Sequence, residues 1–145
     1  MLGMLSVEEA RDQVLQNIPG ALPSEDVPLT GAIGRILAAD AFAGEALPAF
    51  ANSAMDGYAI RGSDSHGASP DSRVGLRLVG EVPAGHVYSG AVGSGEAVRI
   101  LTGAALPDGA DSVIAQELTE VSDGMVWALA ETPAGTNIRP SGDDV

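Results

Sequence analysis

Phe50-Ala51-Asn52-Ser53-Ala54-Met55-Asp56-Gly57-Tyr58-Ala59-Ile60-Arg61 decides how this chain is read. Leu47-Pro48 precedes it, and proline fixes its own φ while pushing the residue before it into an extended conformation. The stretch opens with small polar residues and closes on the apolar run Tyr58-Ala59-Ile60. This pattern predicts a tight loop feeding a strand, with Gly57 at the junction. Asp56 is then a carboxylate held by backbone at a loop–strand boundary, where fixed side chains can meet a ligand. Asn52, Ser53 and Asp56 can equally hydrogen-bond their own turn.

Working outward, the 145 residues suffice for one domain or two small ones. Apolar residues make up 45 % and aromatics only 3 %, so the core must be built from Ala, Val, Leu and Ile. Nineteen glycines and nine prolines suit short strands joined by turns better than a helical bundle. Seven arginines and no lysine stand against twenty acids, for a formal charge of −13. A field of that sign repels nucleic acid and anionic lipid, and no basic stripe offsets it. Without cysteine, disulfides and thiolate chemistry are excluded. No apolar run reaches membrane-spanning length and the first residues lack a signal pattern, so the expectation is a soluble, cytoplasmic chain.

On the N-terminal side, Ser6-Val7-Glu8-Glu9 has the form of a capping box. Val7, Ala10, Val14, Leu15 and Ile18 follow on one helical face, and Pro19-Gly20 stops the helix. Val27-Pro28-Leu29 reads as a short edge strand. Thr30 is placed to cap a short helix from Gly31 to about Leu37, with Ala32, Ile33, Ile36 and Leu37 buried, and Leu37–Phe42 reads as extended. Beyond the opening stretch, residues 61–73 read as a polar surface loop. His66 has no second histidine at ligand spacing and His86 is equally isolated, which argues against a histidine metal site. From Val74 the period becomes two, with Val74, Leu76 and Leu78 on one face. Further strands are expected at Ala97–Leu101 and within Asp111–Val121, centred on Ser112–Ala115. Ser122-Asp123-Gly124 turns a hairpin into Met125–Leu129, where Trp127 packs on the sheet with its N–H satisfied or at the surface.

Chemistry-bearing residues concentrate at turns and strand ends. Asp56, Glu117, Asp143 and Asp144 are carboxylates, Ser53 and Thr102 hydroxyls, and Arg99 and Arg139 the nearest cations. Oxygen ligands of this kind suit Mg²⁺, and arginine forks suit phosphate or a tetrahedral oxyanion. The alternative is that both arginines simply pair with neighbouring acids and Asp143-Asp144 is a solvated segment.

Asn52-Ser53-Ala54-Met55-Asp56-Gly57-Tyr58-Ala59 resembles the signature of the molybdopterin molybdotransferases, the MoeA/gephyrin E-domain family. Three more blocks fit in order: Gly95–Ala104, containing Arg99-Ile100-Leu101-Thr102-Gly103; Pro107–Glu117; and Gly135–Val145, containing Asn137-Ile138-Arg139 and Gly142-Asp143-Asp144-Val145. The resemblance implies an α+β fold. An elongated, helix-containing part (1–48) would adjoin a small β-barrel-like, turn-rich middle domain (49–135), with a return segment (136–145). It also implies insertion of molybdate into adenylylated molybdopterin with Mg²⁺, AMP being released. On this basis Asp56, Thr102 and Asp144 are the catalytic candidates. Ser53, Arg139 and Glu117 are the cofactor-binding candidates, and no metal ligand set is assigned. Ala51 stands where the family often has an acid, and Pro140-Ser141 where some members are more basic, which lowers local charge.

The family's pterin-binding and C-terminal β domains have no counterpart in these residues. The resemblance implies a homodimer in the full-length enzyme, with this region forming one wall of the cleft and part of the dimer interface and the fragment alone inactive. Other molybdenum cofactor synthesis proteins are possible partners; nucleic acid and membranes are not. The competing reading is a non-catalytic dimerisation or docking module on the same scaffold.

Overall fold

The structure, a computed structural model, describes residues 4–145. Its contacts divide the chain into two units, one ending at Phe42 and the other running Ala43–Val145.

The first unit holds one α-helix, α1 (Val7–Gln16). Ser6 caps it as expected: Glu9 N donates to Ser6 Oγ at 3.2 Å, and Ser6 N donates to Glu9 Oε2 at 2.8 Å. The apolar face is present but uncovered, with Val7, Val14, Leu15 and Ile18 all exposed. Two expectations fail. Neither the Val27–Leu29 edge strand nor the Gly31–Leu37 helix forms; a single 3₁₀ turn, Leu29–Gly31, takes their place. Gly34 adopts φ +80°, which ends any right-handed helix there, and Thr30 lies inside the turn instead of capping it. Ile33, Ile36 and Leu37 are exposed, not buried, and 37–42 contains no strand.

The second unit is built on strands. In chain order they are β1 (Asn52–Ser53), β2 (Gly57–Ile60), β3 (Val74–Val82), β4 (Glu96–Ile100), β5 (Ser112–Ala115), β6 (Thr119–Ser122), β7 (Met125–Ala128) and β8 (Ile138–Arg139). β1 pairs with β8, and the other six form one sheet in the order β5-β2-β4-β3-β7-β6. Connectivity fixes the shape of that sheet. β5 and β6 are its two edges, yet only Gln116–Leu118 joins them. A flat six-stranded sheet would separate its edges by about 24 Å, whereas three residues reach about 10 Å. The sheet therefore curls into a half-barrel. Among the described residues the protein is mostly β with one helix.

Alternation along the strands places one cluster on each face. Tyr58, Ile60, Leu76, Ala97, Ile114, Val126 and Ala128 form one. Ala59, Val82, Val92, Val98, Ile100, Ala104 and Val113 form the other. Apart from Tyr58 both are aliphatic, in keeping with the composition. The Asp111–Val121 stretch is not one strand; a 3₁₀ turn at Gln116–Leu118 splits it into β5 and β6. The hairpin into β7 turns at Asp123 (φ 52°) and Gly124 (φ 74°), the paired positive φ values of a type I′ turn. Trp127 donates to Ser122 Oγ at 3.1 Å, and Arg73 lies over its ring. Residues 61–73 are more than a surface loop. Ser65 and Ala68 are buried, and Ser65 Oγ accepts from Thr132 N at 2.8 Å while bonding Gly62 O at 2.8 Å.

Candidate functional site

Register determines which residues share an end of the half-barrel. Gly57 opens β2 and faces both Ile100, the last residue of β4, and Ala115, the last of β5. β3 runs parallel to β4, so its last residue, Val82, also sits beside Ile100. Asp56, Thr102 and the Gln116–Leu118 turn therefore emerge at one end of the sheet, although 46 residues separate Asp56 from Thr102.

Asp56 is exposed but fixed. Its Oδ1 accepts from Thr102 N and from Thr102 Oγ1, both at 2.7 Å. Its carbonyl accepts from Gln116 N at 3.1 Å, which ties the Glu117 turn to the same corner. The Thr102 backbone N–H, then the Thr102 hydroxyl, hold the Asp56 carboxyl below its ordinary value, and the Arg99 charge acts in the same direction. Both hydrogen bonds fall on Oδ1. Oδ2 receives no donor among the described residues. The pair resembles a pre-set acceptor: a carboxylate whose Oδ1 is held by the Thr102 N–H and hydroxyl, leaving the second oxygen without a hydrogen bond among the described residues.

Arg139 and Asp144 form a second pair, with Arg139 Nη2 donating to Asp144 Oδ1 at 2.5 Å and Nε standing 3.8 Å from Asp143. Asp144 N also donates to Leu47 O at 2.8 Å. Arg139 belongs to β8, opposite Asn52 of β1. β1 in turn touches the Thr102 turn, since Gly103 N donates to Ser53 O at 2.8 Å and Ser53 N to Ala104 O at 3.0 Å. Both pairs thus border the β1 backbone, but no side-chain bond joins them among the described residues.

Ser53 is placed differently from a ligand-facing hydroxyl. It is 0 % exposed, and its Oγ donates to Met55 O and accepts from Met55 N at 3.2 Å. It closes the turn that presents Asp56, the role short polar residues commonly take in loops. Glu117 is exposed on the 3₁₀ turn, and among the described residues its carboxylate accepts only from Gln116 Nε2, at 3.5 Å. Sequence reading missed Glu81, which the parallel β3–β4 register sets opposite Arg99. Its side chain is 3.6 Å from Arg99 Nε. No local motif signals a contact made by a crossover pairing. Among the described residues, no group of three or more His, Cys, Asp or Glu side chains gathers as a metal cage.

Comparison with known proteins agrees with the signature read from the sequence. The family profile of the MoeA N-terminal region (domain I and II) matches residues 5–145. The molybdopterin molybdenumtransferase 2 of Mycobacterium tuberculosis is 39 % identical over 98 % of this chain and 35 % of its own length. The molybdopterin molybdenumtransferase of Haemophilus influenzae is 37 % identical over 98 % of this chain and 34 % of its own length. Among solved structures, the molybdopterin biosynthesis MoeA protein of Pyrococcus horikoshii OT3 superposes with a TM-score of 0.73 at 40 % identity. That match covers 83 % of this chain and 32 % of the Pyrococcus chain. The chain spans about a third of the length of the curated relatives it matches.

Proposed function

This chain belongs to the MoeA N-terminal-region family, and from that premise we propose that it serves molybdenum cofactor biosynthesis as one wall of a molybdate-insertion cleft. The observation that carries the reading is the Asp56–Thr102 lock at the end of the half-barrel. Mg²⁺ takes one or two carboxylates and completes its shell with water and substrate phosphate. Asp56, whose Oδ2 meets no donor among the described residues, suits a single-carboxylate contact of that kind. A cage of protein ligands is not required. Bound there, the ion would neutralise oxyanion charge on adenylylated molybdopterin and molybdate. Thr102 keeps Asp56 ionised and oriented, Glu117 adds a second exposed carboxylate at that end, and Arg139–Asp144 frames the neighbouring edge.

The remaining wall belongs to the part of the full-length relatives this chain does not match, contributed in a homodimer. Transferase activity is thus assigned to the full-length enzyme in the cytoplasm, and residues 1–145 alone are expected to be inactive. Among the described residues no helix is long and apolar enough to cross a membrane.

Grafting residues 1–145 onto the remainder of the Mycobacterium tuberculosis relative, in place of its matching region, permits the test. Asp56→Asn in that protein should cut molybdate insertion about a hundredfold, the usual cost of removing a charge-organising group, with the fold intact by circular dichroism. Wild-type turnover in the variant would remove Asp56 from the chemistry. One observation favours a docking role beside the catalytic one: Ile33, Ile36, Leu37 and Phe42 are all exposed. Sedimentation of residues 1–145 tests it, since a monomer at high concentration would leave self-association to the rest of the enzyme.

A further inference from the structure

The described arginines divide into two groups. Arg11, Arg35, Arg73, Arg77 and Arg139 each donate a side-chain hydrogen bond to a carboxylate. Neither the Arg61 nor the Arg99 guanidinium makes such a bond among the described residues. Arg61 follows Ile60, which faces Ser112, the first residue of β5, so it lies at the opposite end of β2 from Asp56. Arg99 is the uncommitted cation at the Asp56 end. It sits three positions before Thr102 on β4, opposite Tyr58 of β2 and Glu81 of β3. Among the described residues Glu81 is the one carboxylate within 4.0 Å of it, its Oε1 3.6 Å from Arg99 Nε, beyond hydrogen-bond length. Both side chains are about half exposed (46 % and 59 %). A contact this long between exposed groups holds a guanidinium weakly.

Resting on the molybdate-insertion reading and deepening it, we propose that Arg99 is the anion-positioning residue of this end. It receives a phosphate or tetrahedral oxyanion next to Asp56, and Glu81 is the carboxylate it leaves to do so. Four physical features support it. The planar fork matches two oxygens of such an anion. With a net charge of −13, an incoming oxyanion meets repulsion nearly everywhere else on the surface. Arg139, by contrast, already spends its fork on Asp143 and Asp144. Arg99 also carries the long-range charge that stabilises ionised Asp56, so a shared cation would link the carboxylate and the anion.

The test uses residues 1–145 with inorganic phosphate and, separately, molybdate at low ionic strength, following by NMR the arginine Nε–H resonances and, so that variants lacking Arg99 can be compared, the backbone amides of Tyr58 and Thr102. The Arg99 signal should move on titration. R99Q should weaken binding about five-fold, and R99K should recover charge without full affinity, since the fork is lost. E81Q should tighten binding two- to three-fold, roughly what release from an exposed ion pair contributes. R139Q should leave it unchanged. The proposal is overturned if the wild-type protein shows no titration, if R99Q titrates like wild type, or if R139Q abolishes the effect. An E81Q affinity equal to wild type would overturn the role given to Glu81. Because this readout is binding by the unmodified chain, its failure is distinguishable from a failure of the Asp56→Asn turnover assay.

Discussion

Gly57→Ala should separate β2 from β5 and, with them, the corner that holds Asp56. A Cβ on Gly57 would lie 2.0 Å from Ile114 O, 2.9 Å from Ile114 C and 3.2 Å from Ala115 Cα, all backbone atoms that no rotamer change can move. Reaching the 3.0 Å limit of real Cβ contacts requires an opening of about 1 Å. Ladder bonds near 2.9 Å would stretch to about 3.9 Å, outside hydrogen-bond range. Two such bonds lost at about 1 kcal/mol each, together with the desolvated groups left behind, give about 3 kcal/mol. For a unit of this size that lowers Tm by roughly 12 °C or more. Thermal unfolding by circular dichroism measures it, with Gly31→Ala as control, since nothing lies within 4 Å of a Cβ there and its φ is not left-handed. A Gly57→Ala protein within about 0.5 kcal/mol of wild type would refute the close-approach argument. The amide signals of Thr102 should shift in the same variant, because Asp56 is the adjacent residue.

The other expectations are more local. The depressed Asp56 value means its stabilising contribution is fully present above the ordinary unfolded value of 3.8 and is lost as pH falls through the folded value. Carboxyl-carbon NMR should place the Asp56 midpoint below the ordinary range. Thr102→Val should raise it only part of the way, because the larger cause is the backbone N–H; an unshifted wild-type midpoint would contradict the geometry. Ser65→Ala should destabilise by about 2 kcal/mol by orphaning the buried Thr132 N–H. Urea unfolding that moves by less than about 0.5 kcal/mol would show that water or another acceptor replaces the hydroxyl.

Local chemistry made much of the second unit legible in the amino-acid order. The Asn52–Arg61 stretch announced a loop and a strand, the period of two announced β3, and Asp123-Gly124 announced the hairpin. Residues 26–42 misled, because an apolar pattern predicts a helix only when something covers it and no left-handed glycine interrupts it. The candidate site was half readable. Asp56 and Thr102 could be named separately, and the structure joins them. Ser53 carried the right motif but sits inside, where its hydroxyl closes a turn. Glu81 opposite Arg99 was unreadable, since parallel pairing across the 83–95 crossover depends on register that no neighbouring residue encodes.

The clasp of β1 against β8 determines how forces reach the half-barrel. Leu47 N donates to Val145 O at 3.2 Å, so the segments flanking β1 and β8 also lie beside each other. The clasp is no free handle, because each strand is also stitched to the half-barrel: Leu106 N donates to Ala51 O at 3.0 Å, and Asn137 Nδ2 to Val113 O at 2.9 Å. A pull on either strand is therefore passed straight to 103–106 and to β5, the two segments that flank Asp56, so load on the clasp is felt at that corner instead of being absorbed before it.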